Sequence, residues 1–149
     1  MVSSAIWAAQ DGLLATITAA LAAETATAKV PVELGTPLTV KPEHIWISGE
    51  VQDWNQEYTV SGLRQKDENF TLRICIAVQH LGLSYIKVRD RAKELGDVIE
   101  NSIHADYTLG GAVMLSKTRG AVLEEALVGD KTRAVGLNID VDIMATITA

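Results

Sequence analysis

Cysteine, aromatic residues and early positive charge are scarce in this 149-residue chain. The single cysteine, Cys75, excludes an intrachain disulfide and any cysteine-based zinc cluster, and suits a reducing compartment. As a lone small hydrophobe it reads as packed inside a strand. With three Trp, three Tyr and one Phe, the core has to be aliphatic. No lysine or arginine precedes Lys29. Leu13 to Ala23 is apolar and Ala26-Thr27-Ala28 resembles a cleavage site, but the basic start is missing and no signal peptide is expected. No run reaches the ~20 apolar residues of a membrane span, so no membrane partner is expected. Lysine and arginine total 13 against 19 acidic residues, giving a formal net charge of -6. That balance argues against a nucleic-acid binder held by phosphate contacts.

What is present reads as one α+β domain over 1–149: an N-terminal helix (1–24), a Pro-rich connector (25–43), and a sheet plus helix (44–149). The organising stretch is Phe70 to Ile103. Phe70, Leu72, Ile74, Ile76 and Val78 share one parity, and Thr71, Arg73, Cys75, Ala77 and Gln79 the other, which predicts a strand with one oily face. Gly82 ends it and Ser84 is placed to cap a helix. In that helix Tyr85, Val88, Ala92, Leu95, Ile99 and Ile103 make one apolar stripe. The stripe and the strand face each need a cover and can cover one another.

The first helix is capped at Ser3 or Ser4, with Ile6, Gln10, Leu13, Ile17 and Leu21 on one face. The connector holds all three prolines, Pro31, Pro37 and Pro42, and reads as an extended path that pins Val30, Val32, Leu34, Leu38 and Val40 against the core. His44 to Val51 is a strand. Asp53 to Val60 is a polar one suited to an edge or an interface. Ser61 to Asn69 reads as a loop, Ala105 to Gly111 as a turn, Ala112 to Leu115 as a short strand, and Thr118 to Val128 as a strand before a hairpin at Gly129-Asp130-Lys131. From Val135 to Thr148 apolar and polar residues alternate strictly, which only a strand explains. Asp140 or Asp142 is expected beside Arg73 on the polar face. Short connections make an antiparallel sheet with both helices on one face the expected solution.

Catalytic or metal chemistry finds no support. His44, His80 and His104 lack ligands at metal-site spacing. Glu124 and Glu125 are adjacent and point to opposite sides. Asp140 and Asp142 share a face, where a cation or acid–base role is conceivable, but cross-strand arginine or lysine is the ordinary balance for such a pair. There is no nucleophile elbow or phosphate-cradling glycine loop. No enzyme activity, cofactor or metal is expected.

At Lys66-Asp67-Glu68-Asn69-Phe70-Thr71-Leu72 the chain resembles the tail terminator proteins of long-tailed (siphovirus-type) bacteriophages, especially those infecting actinobacteria. The likeness runs on through the helix Val88 to Ile103, through Gly110-Gly111, and into the final alternating Val/Ile/Asp strand, covering about Ile45 to Ala145. It implies a virion structural subunit, assembled in the host cytoplasm. Such a subunit caps the tail tube as a homo-oligomeric ring, typically a hexamer, and joins it to the head connector. The implied partners are sister subunits, the tube protein and the connector protein, with genomic DNA passing through an acidic lumen without specific binding. Arg64, Gln65, Lys66, Asp67 and Glu68, with Gly129, Asp130 and Lys131, are the candidate contacts to neighbours or tube. A head-completion protein or a tube subunit remains open. So does, at greater distance, a small-molecule-binding or enzymatic α+β domain, which would need a pocket with converging polar groups.

Overall fold

The computed structural model describes residues 4–58, 65–82, 84–128 and 132–148. Among them are two helices, α1 (Ile6–Ala22) and α2 (Tyr85–Ala105). Six strands accompany them: β1 (Val32–Leu34), β2 (Glu43–Ile47), β3 (Gln52–Tyr58), β4 (Gln65–Leu81), β5 (Leu115–Val128) and β6 (Thr132–Thr148). The strands form one open, mostly antiparallel sheet in the order β1-β2-β4-β6-β5, with β3 paired to β4 beside β2. This is an α+β fold.

The β4 and β6 strands are the frame, in register from Gln65↔Thr148 to Leu81↔Thr132. Period-two alternation puts Phe70, Leu72, Ile74, Ile76 and Val78 of β4 on one face with Val135, Ile139, Val141, Ile143 and Ala145 of β6, all buried. The α2 stripe of Val88, Ala92, Leu95, Ile99 and Ile103 covers that face and is itself buried. At roughly 1.5–3 kcal/mol for each large apolar side chain removed from water, this layer dominates the folding free energy. Ser84 caps α2 as expected, with its hydroxyl accepting the Lys87 N–H. Gly96 lets α2 approach the sheet closely, since a Cβ there would lie 2.8 Å from Leu137 Cδ2.

The inward face of α1 is the expected one: Ile6, Gln10, Leu13, Ile17 and Leu21, with Ala9, are buried in the same core as α2. Its start is different. The N-cap is Ala5, which has no side-chain acceptor to offer. The Ser4 hydroxyl instead accepts the Ile6 N–H, at 3.1 Å. Ser3 lies outside the described residues.

The connector departs from its expected form. Val32–Leu34 is a strand, and it runs parallel to β2, so the sheet is not purely antiparallel. Prolines flank this segment without interrupting it, which leaves its backbone free to pair. Val30 is buried, but Leu34, Leu38 and Val40 are exposed, Leu38 completely. β4 begins at Gln65 where a loop was expected, because β3 and β6 supply ladder partners on both sides and pairing outweighs the poor strand propensity of Lys, Asp and Asn. The segment Ala112 to Met114 is turn and bend, and β5 starts only at Leu115. The turn before it passes through Leu109, Gly110 and Gly111, all at positive φ (51°, 73° and 88°), a conformation that glycine adopts without strain.

Candidate functional site

The helices cover one face of the sheet and leave the other open. On the open face, register aligns Arg73 with Asp140 and Thr71 with Asp142. Arg73 Nε donates to Asp140 Oδ1 at 2.9 Å and Nη2 to Oδ2 at 3.4 Å, the cross-strand pair that the parity argument expects. The Thr71 hydroxyl donates to Asp142 at 2.8 Å. Arg119 completes the network from β5, lying 3.7 Å from Asp140, 3.6 Å from Asp142 and 3.6 Å from Asp53 of β3. Asp140 and Asp142 therefore balance arginines. Sequence reasoning overlooked Arg119, whose guanidinium sits at a bulge between Thr118 and Gly120. Its opposite number Asp53 sits at a bulge with φ of 53°. An arginine followed by glycine inside a strand pattern was the available signal.

The candidate contact residues separate into two groups. Arg64, Gly129, Asp130 and Lys131 lie outside the described residues. Gln65, Lys66, Asp67 and Glu68 form the first turnless stretch of β4, and three of them make contacts within the chain. Lys66 Nζ lies over the Tyr58 ring, 5.1 Å from its centroid. Asp67 accepts from the Thr146 hydroxyl at 2.9 Å. Glu68 is fully buried. Its Oε1 accepts from Ala5 N–H at 2.7 Å and Ser4 Oγ at 3.0 Å, and its Oε2 from Trp54 Nε1 at 2.8 Å and Gln56 Nε2. Burial pushes the Glu68 carboxyl up, but the bonds from Gln56, Ala5, Trp54 and Ser4 outweigh it and hold the group below its ordinary range. The carboxylate also lies against the N-terminus of α1, where negative charge is favoured. The β4 register puts Gln65 beside Thr148 and Leu81 beside Thr132, so Gln65 to Glu68 and the strand ends Val128 and Thr132 stand at opposite ends of the sheet.

A second polar cluster joins layers. Glu43 of β2 accepts from Arg91 Nε at 2.8 Å and Nη2 at 3.0 Å, and contacts His80 Nε2 at 3.2 Å. Arg91 also donates to the Ala26 carbonyl at 2.7 Å. The Arg91 bond, aided by His80 and opposed by burial, holds the Glu43 carboxyl below its usual range. His44 is buried, with Nδ1 accepting the Lys41 N–H at 3.1 Å and Nε2 2.9 Å from Glu33. These histidines tie elements together, and among the described residues no group of three or more His, Cys, Asp or Glu is arranged to hold a metal. Burial pushes the Cys75 thiol up, away from the reactive thiolate.

Between α2 and β5 runs a groove of about 520 Å³, floored by Leu123, Leu137 and Ile139. The helix layer reaches β4 and β6 but leaves Ala121 and Leu123 of β5 exposed. The charges on its α2 rim pair with one another, Lys93 with Asp97 at 2.8 Å and Arg89 with Asp90 at 2.9 Å, and do not converge on the floor.

The sheet edges are the remaining surface. β5 pairs with β6 on one side; on its other side the Ser116 N–H and hydroxyl donate to the Tyr107 carbonyl at 2.7 and 2.8 Å, and no strand among the described residues pairs along the rest of that edge. β3 is likewise bonded only to β4, and most of its residues are exposed.

No protein-family model matches the sequence, and no curated protein does. Among solved structures, the chain is similar to one from the "Virion of native gene transfer agent (GTA) particle", at 12% identity and a TM-score of 0.46, over 92% of this chain and 98% of that one.

Proposed function

We propose that this chain is a phage tail structural subunit of the terminator type, one that closes the tail tube as a ring and offers the joint to the head connector. The observation that carries the reading is that one sheet ends in two unlike strands with no further strand beside them, β3 and, beyond the Tyr107 contact at Ser116, β5. An unpaired edge such as β5 presents beyond Ser116 is a standing invitation to pair, and soluble proteins ordinarily cover or break such edges. Paired one with the other along a series of copies, unlike edges join head to tail, and head-to-tail contacts close as rings or run on as filaments. The resemblance at Lys66 to Leu72 and beyond selects the ring.

Gln65 to Glu68, and with them Arg64, Gly129, Asp130 and Lys131 from outside the described residues, are retained as the contact residues. Of the first group Lys66 and Asp67 offer charge at the surface, while Glu68 acts from inside by fixing the end of the sheet. The register sets Gln65 to Glu68 at one end of the sheet and Val128 and Thr132 at the other, which supports a division of labour, one end for the tube and the other for the connector. The paired arginines of the open face support a lumen that lets DNA slide, since a guanidinium held by aspartate is a poor phosphate anchor.

Analytical ultracentrifugation with negative-stain imaging of the purified protein tests the reading. Closed rings of one mass are expected. Tubes of unlimited length would reassign the chain to the tube itself, and monomers at every concentration would overturn the assembly reading.

A further inference from the structure

We infer that copies of the chain join through β1 and β5: Val32–Leu34 of one copy adds antiparallel to residues 121–123 of the next. The inference rests on the ring reading and names the surfaces that would close it. Direction, level, hydrogen-bond polarity and shape carry it together.

On the β3 side of β4 the outermost strand is β1, which stands one strand further out than β3. β1 runs parallel to β2, β2 runs antiparallel to β4, and β4 and β5 are both antiparallel to β6. β1 and β5 therefore point in opposite senses, and a copy added in the plane of the sheet sets them antiparallel. Their levels agree as well. Val32 aligns through Ile45, Ile76 and Leu137 with Leu123, and Leu34 aligns through Ile47, Ile74 and Ile139 with Ala121.

Polarity is the sharper condition, because only alternate residues of an edge strand turn their backbone groups outward. The Ile45 N–H donates to the Pro31 carbonyl at 3.0 Å and the Gly35 N–H to the Ile47 carbonyl at 2.7 Å, so residues 31, 33 and 35 face β2. Val32 and Leu34 face away. On β5 the outward set is marked by Ser116, which donates its N–H to Tyr107 and stands opposite Ile143. Counting by twos along β6 to Ile139 and Leu137 makes Ala121 and Leu123 outward too, with the bulge between Thr118 and Gly120 absorbing the odd residue. Lateral addition thus sets outward residues against outward residues, and each of the pairs Val32–Leu123 and Leu34–Ala121 can exchange both its bonds. Among the described residues nothing else bonds these outward groups. A slip of one residue would put every outward group opposite an inward one.

Shape and burial agree. Ser116 aligns through Ile143 with Phe70, the height of β3, and there Tyr107 stands out from β5. At that height the neighbour is set back by one strand, because β3 lies further in than β1. The Tyr107 turn fills the recess, level with the half-exposed Trp54 of β3. Val32, Leu34, Ala121 and Leu123 share the helix-covered face, and in one copy alone Leu34 is 41% and Leu123 45% exposed. The joint lays Val32 against Leu123 and Leu34 against Ala121, and so covers the open side of the groove between α2 and β5.

A cysteine pair in the full-length chain tests the joint: Glu33→Cys with Val122→Cys in a Cys75→Ala background. Glu33 and Val122 would form the non-hydrogen-bonded pair, with Cα atoms about 4.5 Å apart, within disulfide range. Inside one chain four strand spacings, about 19 Å, separate them. A ladder of disulfide-linked oligomers on a non-reducing gel is expected, absent from either single-cysteine control. It should also be absent when the second cysteine is moved to Lys117, whose partner Asp142 lies about 13 Å along β6 from that of Val122. Assembled protein that gives only monomer bands, or an equally strong ladder from the Lys117→Cys control, overturns the pairing while leaving the ring intact. A wild type that never assembles removes the ring reading itself.

Should loss of the Glu33 contact to His44 unfold the cysteine variant, proline substitutions decide. Proline at an outward position removes an N–H that only a neighbour could use and spares the ladder within the chain. Leu123→Pro should sediment as a folded monomer. Glu125→Pro, outward by the same count but past the end of β1, should still form rings. Rings from Leu123→Pro at wild-type yield, or loss of rings in both variants, refutes the pairing.

Discussion

Replacing Glu68 with alanine is expected to be among the most damaging single changes in the chain, although glutamate in a polar stretch looks dispensable. The carboxylate is fully buried and receives four hydrogen bonds, two from the start of α1 and two from β3. Removing it strands the Ala5 N–H, in a residue that is itself buried, and deprives Trp54 and Ser4 of their acceptor. A buried donor without a partner costs about 1–3 kcal/mol, and a bond to a charged group contributes about 1.5–3. The half-exposed Trp54 recovers part of its loss from water. The net expectation is a loss of about 3 kcal/mol, and Glu68→Gln loses nearly as much because its amide NH₂ must face donors on one side. Urea unfolding followed by circular dichroism and tryptophan emission measures it. The same change should fray the first turn of α1 and alter Trp54 emission in the folded state.

The pH dependence supplies a separate check. The Glu68 carboxyl is held below its ordinary value in the folded chain, so its contribution is present above about pH 4.5 and lost as pH falls through the folded value. The gap between wild type and Glu68→Ala should therefore narrow on acidification. A stability change under 0.5 kcal/mol at pH 7, or a gap that stays constant down to pH 3, would refute the reasoning.

Other consequences are equally specific. Arg91→Lys cannot reproduce the forked bond to Glu43 together with the contact to Ala26, and should lower stability by about 1–2 kcal/mol in a thermal or urea melt. Because Arg91 holds the Glu43 carboxyl low, that difference too should shrink below about pH 4.5. Two helix glycines should respond differently to alanine. At Gly12 the new Cβ meets the Leu109 carbonyl at 2.6 Å and Ala112 Cβ at 2.9 Å, so backbone must move and a loss of about 1–3 kcal/mol is expected. At Gly96 the nearest atom is the end of the half-buried Leu137 side chain, and about 1 kcal/mol of helix propensity should offset the crowding, leaving the melting midpoint nearly unchanged. Arg73→Ala should cost under about 1 kcal/mol, since its partner Asp140 keeps Arg119 nearby and the pair is partly solvated; a larger loss by urea titration would show the open-face network to be structural.

The sequence alone determined whichever features are local and repeat. Alternation fixed the buried faces of β4 and β6, three- and four-residue spacing fixed those of α1 and α2, and parity put Arg73 on one face with Asp140 and Asp142. These follow because an apolar side chain has one acceptable destination, away from water, and backbone geometry dictates which neighbours go with it. Tertiary structure decided the polar residues, for which water and protein partners compete almost evenly. Gln65 to Glu68 reads as a loop until β3 and β6 stand on either side of it. Glu68 reads as a surface charge until α1 brings its unpaired N–H groups. The Pro-rich connector reads as an extended path without strand partners until β2 offers Val32–Leu34 an edge. Arg119 reads as one charge among many until two bulges aim it and Asp53 at each other. In each case the deciding partner lies far away in the chain, and only the fold brings it within reach.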